Sequence, residues 1–267
     1  MRILILGASG FIGSHLAKIA SQNNHDVIAL CRSGRVTGFQ GSTQKWHMGE
    51  RLPDDLFTNV DCVIHLAHDF SKKQGAETTI KSTTEIINQA FTANVRRQLY
   101  FSSFSAHHNA ESTYGKTKFL IEQSISNIPN TTVVRPGLVI GNGGLYANIA
   151  RAVRLSPFIP LPDAGKATTP VIEIEKLCHE SLKLCQNTRG VSEANLFEAE
   201  HVPLRTLVTS IADRLNKRVI IIGIPSWVLI YCFKIASFLR LPLPVNEDNL
   251  TGFLANQSIP HKSTLIQ

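Results

Sequence analysis

Apolar positions along the chain fall into short runs separated by stretches of helical spacing. The first run is Arg2–Leu6, and residues 12–22 behind it repeat their apolar positions every three or four residues. Residues 25–30 and 61–66 read as two further strands, and 78–91 as a helix. Residues 98–102 form a strand, Thr113–Ile125 a helix, and 131–134 a strand closed by Arg135-Pro136-Gly137. The strand runs lack strict polar alternation, which is the pattern of strands buried on both faces. Such an order predicts an α/β fold, a doubly wound parallel sheet of the Rossmann type with helices on both sides.

The pattern changes after residue 140. Gly141-Asn142-Gly143-Gly144 reads as a loop, 145–155 as a helix, and four prolines (157, 160, 162 and 170) mark an irregular stretch. A helix over 173–185 follows, and from about 199 the order is helix, strand, helix and a polar tail. The expected division is a dinucleotide-binding domain from 1–142 and 170–198, with a small substrate-binding lobe from 143–169 and 199–267.

The most apolar segment, 219–241, is the one membrane candidate. Its longest uncharged stretch, 219–233, is shorter than the ~20 residues of a span, and Pro225 splits it. It reads as a strand over 219–224 and a helix over 226–240. Val228, Tyr231, Cys232, Ile235, Phe238 and Leu239 recur at helical spacing, which predicts one face packed into the core. Contact with a membrane surface is not expected on this reading.

Composition narrows the function. With 43% apolar and 18% charged residues, the chain is a packed globule and not a disordered segment. The formal charge of +7 is spread out, since no run of Lys and Arg exceeds two residues. That favours a small anionic ligand and argues against nucleic acid. The five cysteines are scattered, with no CxxC pair, so a reducing cytoplasmic setting without a metal site is expected.

The chemistry-bearing motifs lie at strand ends. Gly7-Ala8-Ser9-Gly10-Phe11-Ile12-Gly13 joins the first strand to the first helix. Glycine there permits a tight turn and close backbone approach to a pyrophosphate, which the helix N-terminus attracts. The second strand ends in Cys31-Arg32-Ser33, without the carboxylate that holds the ribose hydroxyls of NAD. Arg32 is placed to bind a 2′-phosphate, so NADP is the expected cofactor and NAD the alternative.

Tyr114 and Lys118 are four residues apart and share a helix face. An ammonium close to a phenol lowers its pKa from ~10 and readies it for proton exchange with a substrate oxygen. Tyr100-Phe101-Ser102-Ser103-Phe104-Ser105 ends the strand before that helix. Ser103 is the first choice to hold the reacting oxygen, with Ser102 and Ser105 as alternatives. His68, His107 and His108 lie near the expected crevice without metal-ligand spacing.

Taken together, these motifs resemble the short-chain dehydrogenase/reductase superfamily, in its extended, NAD(P)-dependent epimerase/dehydratase-like branch. The match also rests on 61–67 (DCVIHLA) and on 171–177 (VIEIEKL). The resemblance implies Ser103, Tyr114 and Lys118 as catalytic residues, with Lys118 also on the nicotinamide ribose. It implies that Leu66, Ala67 and His68 line the cofactor, and that Pro136 and Gly137 flank the nicotinamide end. Ser103 and Tyr114 are eleven residues apart, fewer than in the well-known sugar epimerases, and Thr79 stands where an asparagine is common.

The leading expectation is an oxidoreductase moving hydride to or from a carbonyl or secondary alcohol, with a nucleotide sugar as candidate substrate. An epimerase or dehydratase with tightly held NAD is the alternative. A non-catalytic cofactor sensor or scaffold is a third, against which the complete Ser/Tyr/Lys set argues. The oligomeric state, a homodimer included, stays open.

Overall fold

The computed structural model describes residues 1–71, 74–187, 190–238, 247–256 and 261–265. The first half contains β1 (Arg2–Leu6), α1 (Phe11–Gln22), β2 (Asp26–Cys31), β3 (Ser42–Lys45), β4 (Cys62–His65), α2 (Gly75–Thr92), β5 (Arg97–Phe101) and α3 (Thr113–Ile125). Then come β6 (Thr131–Pro136), β7 (Leu138–Ile140), α4 (Gly144–Leu155), β8 (Phe158–Pro162), β9 (Thr168–Thr169), β10 (Val171–Glu173) and α5 (Ile174–Gln186). The rest is β11 (Glu193–Leu196), β12 (Val202–Pro203), α6 (Leu204–Arg214), β13 (Ile220–Ile224), α7 (Ser226–Phe238) and α8 (Glu247–Ala255).

Seven strands form one sheet in the order β11-β6-β5-β4-β1-β2-β3, with every neighbouring pair parallel. The order reverses at β1, so the crevice beside its carboxyl end is where a doubly wound sheet takes its ligand. Successive side chains of β1 serve different layers. Ile3 and Ile5 pack with Leu16 of α1 and Leu177 of α5, whereas Leu4 and Leu6 pack with Ile86 and Ala90 of α2. Both sides of the strand are therefore apolar, which is why its sequence shows no alternation. Each such Ile or Leu contributes roughly 1.5–3 kcal/mol of burial.

The two outer strands had no apolar signature. β3 is Ser-Thr-Gln-Lys, partly exposed at the sheet edge, and β11 is only four residues long. A separate apolar cluster joins α4, β8 and α6 through Tyr146, Val153, Ile159, Leu161, Leu207 and Ile211. Residues 261–265 return to the main sheet: Thr264 N–H bonds Asn195 O at 2.9 Å, and Leu265 packs on the main core.

The described part of the face expected of the 226–240 helix is not in the core. Tyr231 and Cys232 are exposed and Val228 is half-buried, while among the described side chains of α7 the buried one is Leu229. Periodicity showed a helix but not what it packs against. The side chains of Ile235, Phe238 and Leu239 lie outside the described residues. No helix among the described residues is long and apolar enough to cross a membrane.

Candidate active site

The glycine turn is closed by backbone contacts. Gly7 has φ +84°, in the left-handed region that favours glycine, and the N–H groups of Gly7 and Ala8 both reach Leu30 O, at 3.0 and 3.1 Å. A side chain on Gly7 would come within 2.9 Å of the Leu66–Ala67 backbone, so the turn and the end of β4 lie against each other. Gly10 is the N-cap of α1 and no side chain caps that helix. Ser9 and Gly10 are exposed, Phe11 and Ile12 are half-buried and Gly13 is buried. The helix thus offers its first-turn N–H groups uncapped, as an anion requires.

Phe11 has a structural task as well. A side chain on Gly141 would come within 2.7 Å of its Cζ, and one on Gly143 would overlap its ring. Bare backbone at 141 and 143 lets the loop leading into α4 rest on the phosphate turn. Arg32 is exposed at the end of β2. Ser33 Oγ donates to Arg35 O at 2.9 Å and shapes the turn beside it.

Tyr114 and Lys118 lie on one side of α3. Lys118 Nζ is buried, donates to Phe101 O at 2.6 Å, and sits 4.9 Å from the Tyr100 ring centre and 5.7 Å from that of Tyr114. The Tyr114 ring meets His68 edge-on at 5.0 Å and stacks with Phe70 at 6.2 Å. The loop after β4 therefore reaches the start of α3, and Leu66, Ala67 and His68 join the glycine turn to Tyr114. Pro136 is buried at the end of β6, where Gly137 N–H bonds Leu196 O at 3.1 Å.

The three serines have different partners. Ser102 is buried and donates to Glu122 Oε1. Glu122 in turn is held bidentately by Arg135, Nε at 3.0 Å and Nη2 at 2.6 Å, so Ser102 belongs to a buried ionic cluster. Ser105 Oγ accepts from Asn256 Nδ2 at 2.9 Å. Ser103 is half-buried, and its Oγ accepts the Ser105 N–H at 3.1 Å, which leaves its own O–H to donate.

Protonation departs from expectation at Tyr114. Burial pushes its phenol up to about 12, the opposite of the lowering expected from a close ammonium. Lys118 is shifted by burial as well. Burial brings its ammonium down to about 7, partly offset by Glu122, and Phe101 O already takes one of its N–H bonds. His68 is brought down to about 3, by burial first and then by the Lys118 charge. At neutral pH Tyr114 is thus a phenol beside a neutral imidazole.

A family model described as "NAD dependent epimerase/dehydratase family" matches residues 3–187. The chain belongs to that family. A curated relative, NADH dehydrogenase [ubiquinone] 1 alpha subcomplex subunit 9 of Dictyostelium discoideum, is 23% identical over 58% of this chain and 48% of its own. The chain therefore spans about half the length of that relative. Among solved structures, MoeE5 with UDP-glucose and NAD superposes at TM-score 0.71 with 19% identity, over 84% of this chain and 85% of that one. The UDP-glucose 4-epimerase of Thermotoga maritima gives TM-score 0.68 with 18% identity, over 84% and 86%. At such identities these likenesses establish the fold.

Contacts between residues distant in sequence shape the site beyond what local pattern shows. Asp248 of α8 accepts the N–H groups of Thr113 and Tyr114, at 2.7 and 3.2 Å, and so caps the helix that carries Tyr114. Ser112 Oγ accepts Gly115 N–H at 3.0 Å and completes that cap. Thr79 accepts Asp69 N–H at 3.0 Å and donates to Gly75 O at 2.6 Å, pinning the loop that carries His68 and Phe70. His107, in the loop between Ser105 and Tyr114, is buried. A cavity of about 560 Å³ opens on the other side of the turn, between His15, Tyr146 and Arg214, and none of Ser103, Tyr114 or Lys118 lines it.

Lys118 makes a prediction about pH. The folded chain releases its proton near 7, while the unfolded chain holds it to about 10.5. Between those values the unfolded state binds more protons, so wild-type stability gains with rising pH from this group. Lys118→Met removes that gain. Its melting temperature relative to wild type should therefore be highest below pH 7 and decline as pH rises towards 10. The loss of the bond to Phe101 O shifts all values equally, so the trend is the readout of melts across that range. A difference independent of pH would show that Lys118 does not titrate in this window.

Proposed function

We propose that the chain is an NAD(P)-dependent enzyme that moves hydride at a secondary alcohol or carbonyl of a nucleotide sugar. The observation that carries this reading is the meeting of Tyr114, His68 and buried Lys118 next to a glycine turn whose helix is uncapped. The turn fits a dinucleotide, because a Cβ at Gly10 would stand in otherwise open space with only Gly7 O near, at 3.2 Å. Gly7, Ser9, Gly10, Phe11, Ile12 and Gly13 would hold the pyrophosphate, and Arg32 the adenosine end. Leu66, Ala67, His68, Lys118 and Pro136 would take the nicotinamide half. When bound, the nicotinamide supplies the donor or acceptor of a hydride.

The protein's own side chains handle the oxygen and its proton. Ser103 Oγ donates a hydrogen bond to the reacting oxygen. Tyr114 Oη, a phenol at neutral pH, gives its proton to a carbonyl oxygen as the carbon is reduced, and takes one back in the reverse direction. Lys118 favours the phenolate once the proton has left, because its charge lies on the same side of the helix. A second reading, an epimerase or dehydratase that retains NAD, draws on the NAD and UDP-glucose named for MoeE5.

One experiment addresses both readings. NADPH and NADH are titrated into wild type and Arg32→Ala, and UDP-sugars are then added while absorbance at the reduced nicotinamide band and product composition are followed. Arg32 can donate hydrogen bonds to a 2′-phosphate, and from an exposed position its net contribution is that of about one charge-assisted bond, roughly 1.5–3 kcal/mol. Arg32→Ala should weaken NADPH about 10- to 100-fold and leave NADH nearly unchanged. Equal loss of both would remove the NADP assignment. Turnover of a UDP-sugar with no net change in nicotinamide absorbance would select the epimerase or dehydratase reading, and a protein that binds neither dinucleotide would remove both.

A further inference from the structure

The lobe carries an apolar surface that the proposed chemistry does not use. β8 and β13 pair in parallel, with Phe158 beside Ile220 and Pro160 beside Ile222. Alternate residues of a strand point to opposite sides. Ile159 and Leu161 are buried and pack with half-buried Ile221 onto α6. On the other side Phe158, Ile220 and Ile222 are 54%, 58% and 43% exposed. α7 packs against β8, and its Trp227 and Tyr231, one helical turn apart, are 75% and 64% exposed. Leu155, at the end of α4, is exposed as well. Both sides of this ribbon are thus apolar, and one has no cover among the described residues.

Cations precede both strands of the ribbon. Arg151 and Arg154 of α4, and Arg214, Lys217 and Arg218 before β13, are all exposed. Lys217 Nζ donates to Arg154 O and ties the two basic segments together at the edge of the ribbon. Neither 151–160 nor 214–246 contains an Asp or Glu. The acids that border the region are Asp213, Asp163, which accepts the Ser226 hydroxyl at 3.2 Å, Glu173 and Glu175, which line one cavity with Arg154 and Arg214, and Glu247 and Asp248 at the start of α8, which packs on α7.

Apolar and aromatic side chains beside Arg151, Lys217 and Arg218, with no anion within those segments of the chain, match the boundary between the headgroups and acyl chains of a bilayer with acidic lipids. A second copy of the chain would bring the same cations face to face, and a nucleic acid would leave the aliphatic residues without a partner. We propose that this face docks the protein on the surface of an anionic lipid bilayer, lying on it without crossing it. This departs from the core role expected of 226–240, and it stands independently of the reaction catalysed.

The test is co-sedimentation of the full chain with phosphatidylcholine vesicles, and with vesicles that also carry phosphatidylglycerol. The protein should sediment with the second kind, less so as salt is raised. Its fluorescence should shift to the blue in wild type but not in Trp227→Phe, since the other tryptophan, Trp46, is buried. Arg151→Glu and Arg218→Glu should each weaken binding by about fivefold or more. The double variant Ile220→Ser, Ile222→Ser should abolish binding while keeping its melting temperature. Failure of the folded wild type to sediment with anionic vesicles at low ionic strength would overturn the proposal. Binding unaffected by the double serine variant would do so too, as would a dimer in solution that this variant breaks apart.

Discussion

Tyr114→Phe should lose ~10²–10⁴-fold in turnover and almost nothing else, the usual contribution of a positioned acid–base group. The reasons lie in what the ring and the hydroxyl each do. The ring contacts His68 and Phe70 and faces Lys118, and phenylalanine preserves those contacts. The helix caps at Ser112 and Asp248 bind backbone N–H groups and do not involve the phenol. What disappears is the transferable proton. Dinucleotide affinity and melting temperature should therefore stay near wild type. The decisive measurement is single-turnover reduction with saturating cofactor and a substrate found among the UDP-sugars. A rate within a few-fold of wild type would end the role given to Tyr114 and leave the glycine turn untouched.

The fold was legible because β1, β4 and β5 are buried on both sides and so carry consecutive apolar residues, with His65 of β4 and Gln98 of β5 buried as a hydrogen-bonded pair. Helix α3 was legible to the residue, its observed bounds Thr113–Ile125 being those read from the sequence. The polar edge strand β3 escaped because exposure to solvent places no apolar demand on it. Within the site, the four-residue spacing of Tyr114 and Lys118 correctly put them on one side of a helix. Sequence put Ser103 first but left Ser102 and Ser105 as alternatives, and the partners that distinguish those two, Glu122 and Asn256, are brought to them only by folding. Asp248 is 134 residues from Tyr114, and nothing in the local pattern connects a residue of α8 to the cap of α3. The sign of the Tyr114 shift was missed for a related reason: spacing reveals a neighbouring charge but not the burial that outweighs it.

Gly10 and Gly13, three residues apart in one motif, should fail in opposite ways. A Cβ on Gly13 would overlap Gly7 O and lie 2.8 Å from Ala8 Cα. Both are backbone atoms of the buried turn and cannot swing aside, so even Gly13→Ala forces β1 and α1 apart. Overpacking of this kind costs about 1–3 kcal/mol, which lowers the melting temperature by several degrees in a protein of this size. Gly10 has φ −71° and ψ 170°, extended backbone that valine adopts readily. A Cβ there meets only Gly7 O, at 3.2 Å. Gly10→Val should therefore fold and melt like wild type. Its side chain instead fills the space through which a pyrophosphate approaches the first-turn N–H groups. Losing two bonds to a charged ligand, roughly 1.5–3 kcal/mol each, lowers dinucleotide affinity ~10²- to 10⁴-fold. Calorimetric titration and thermal melts of the two variants side by side separate the effects. Wild-type dinucleotide affinity in a folded Gly10→Val protein would show that the cofactor does not sit on this turn.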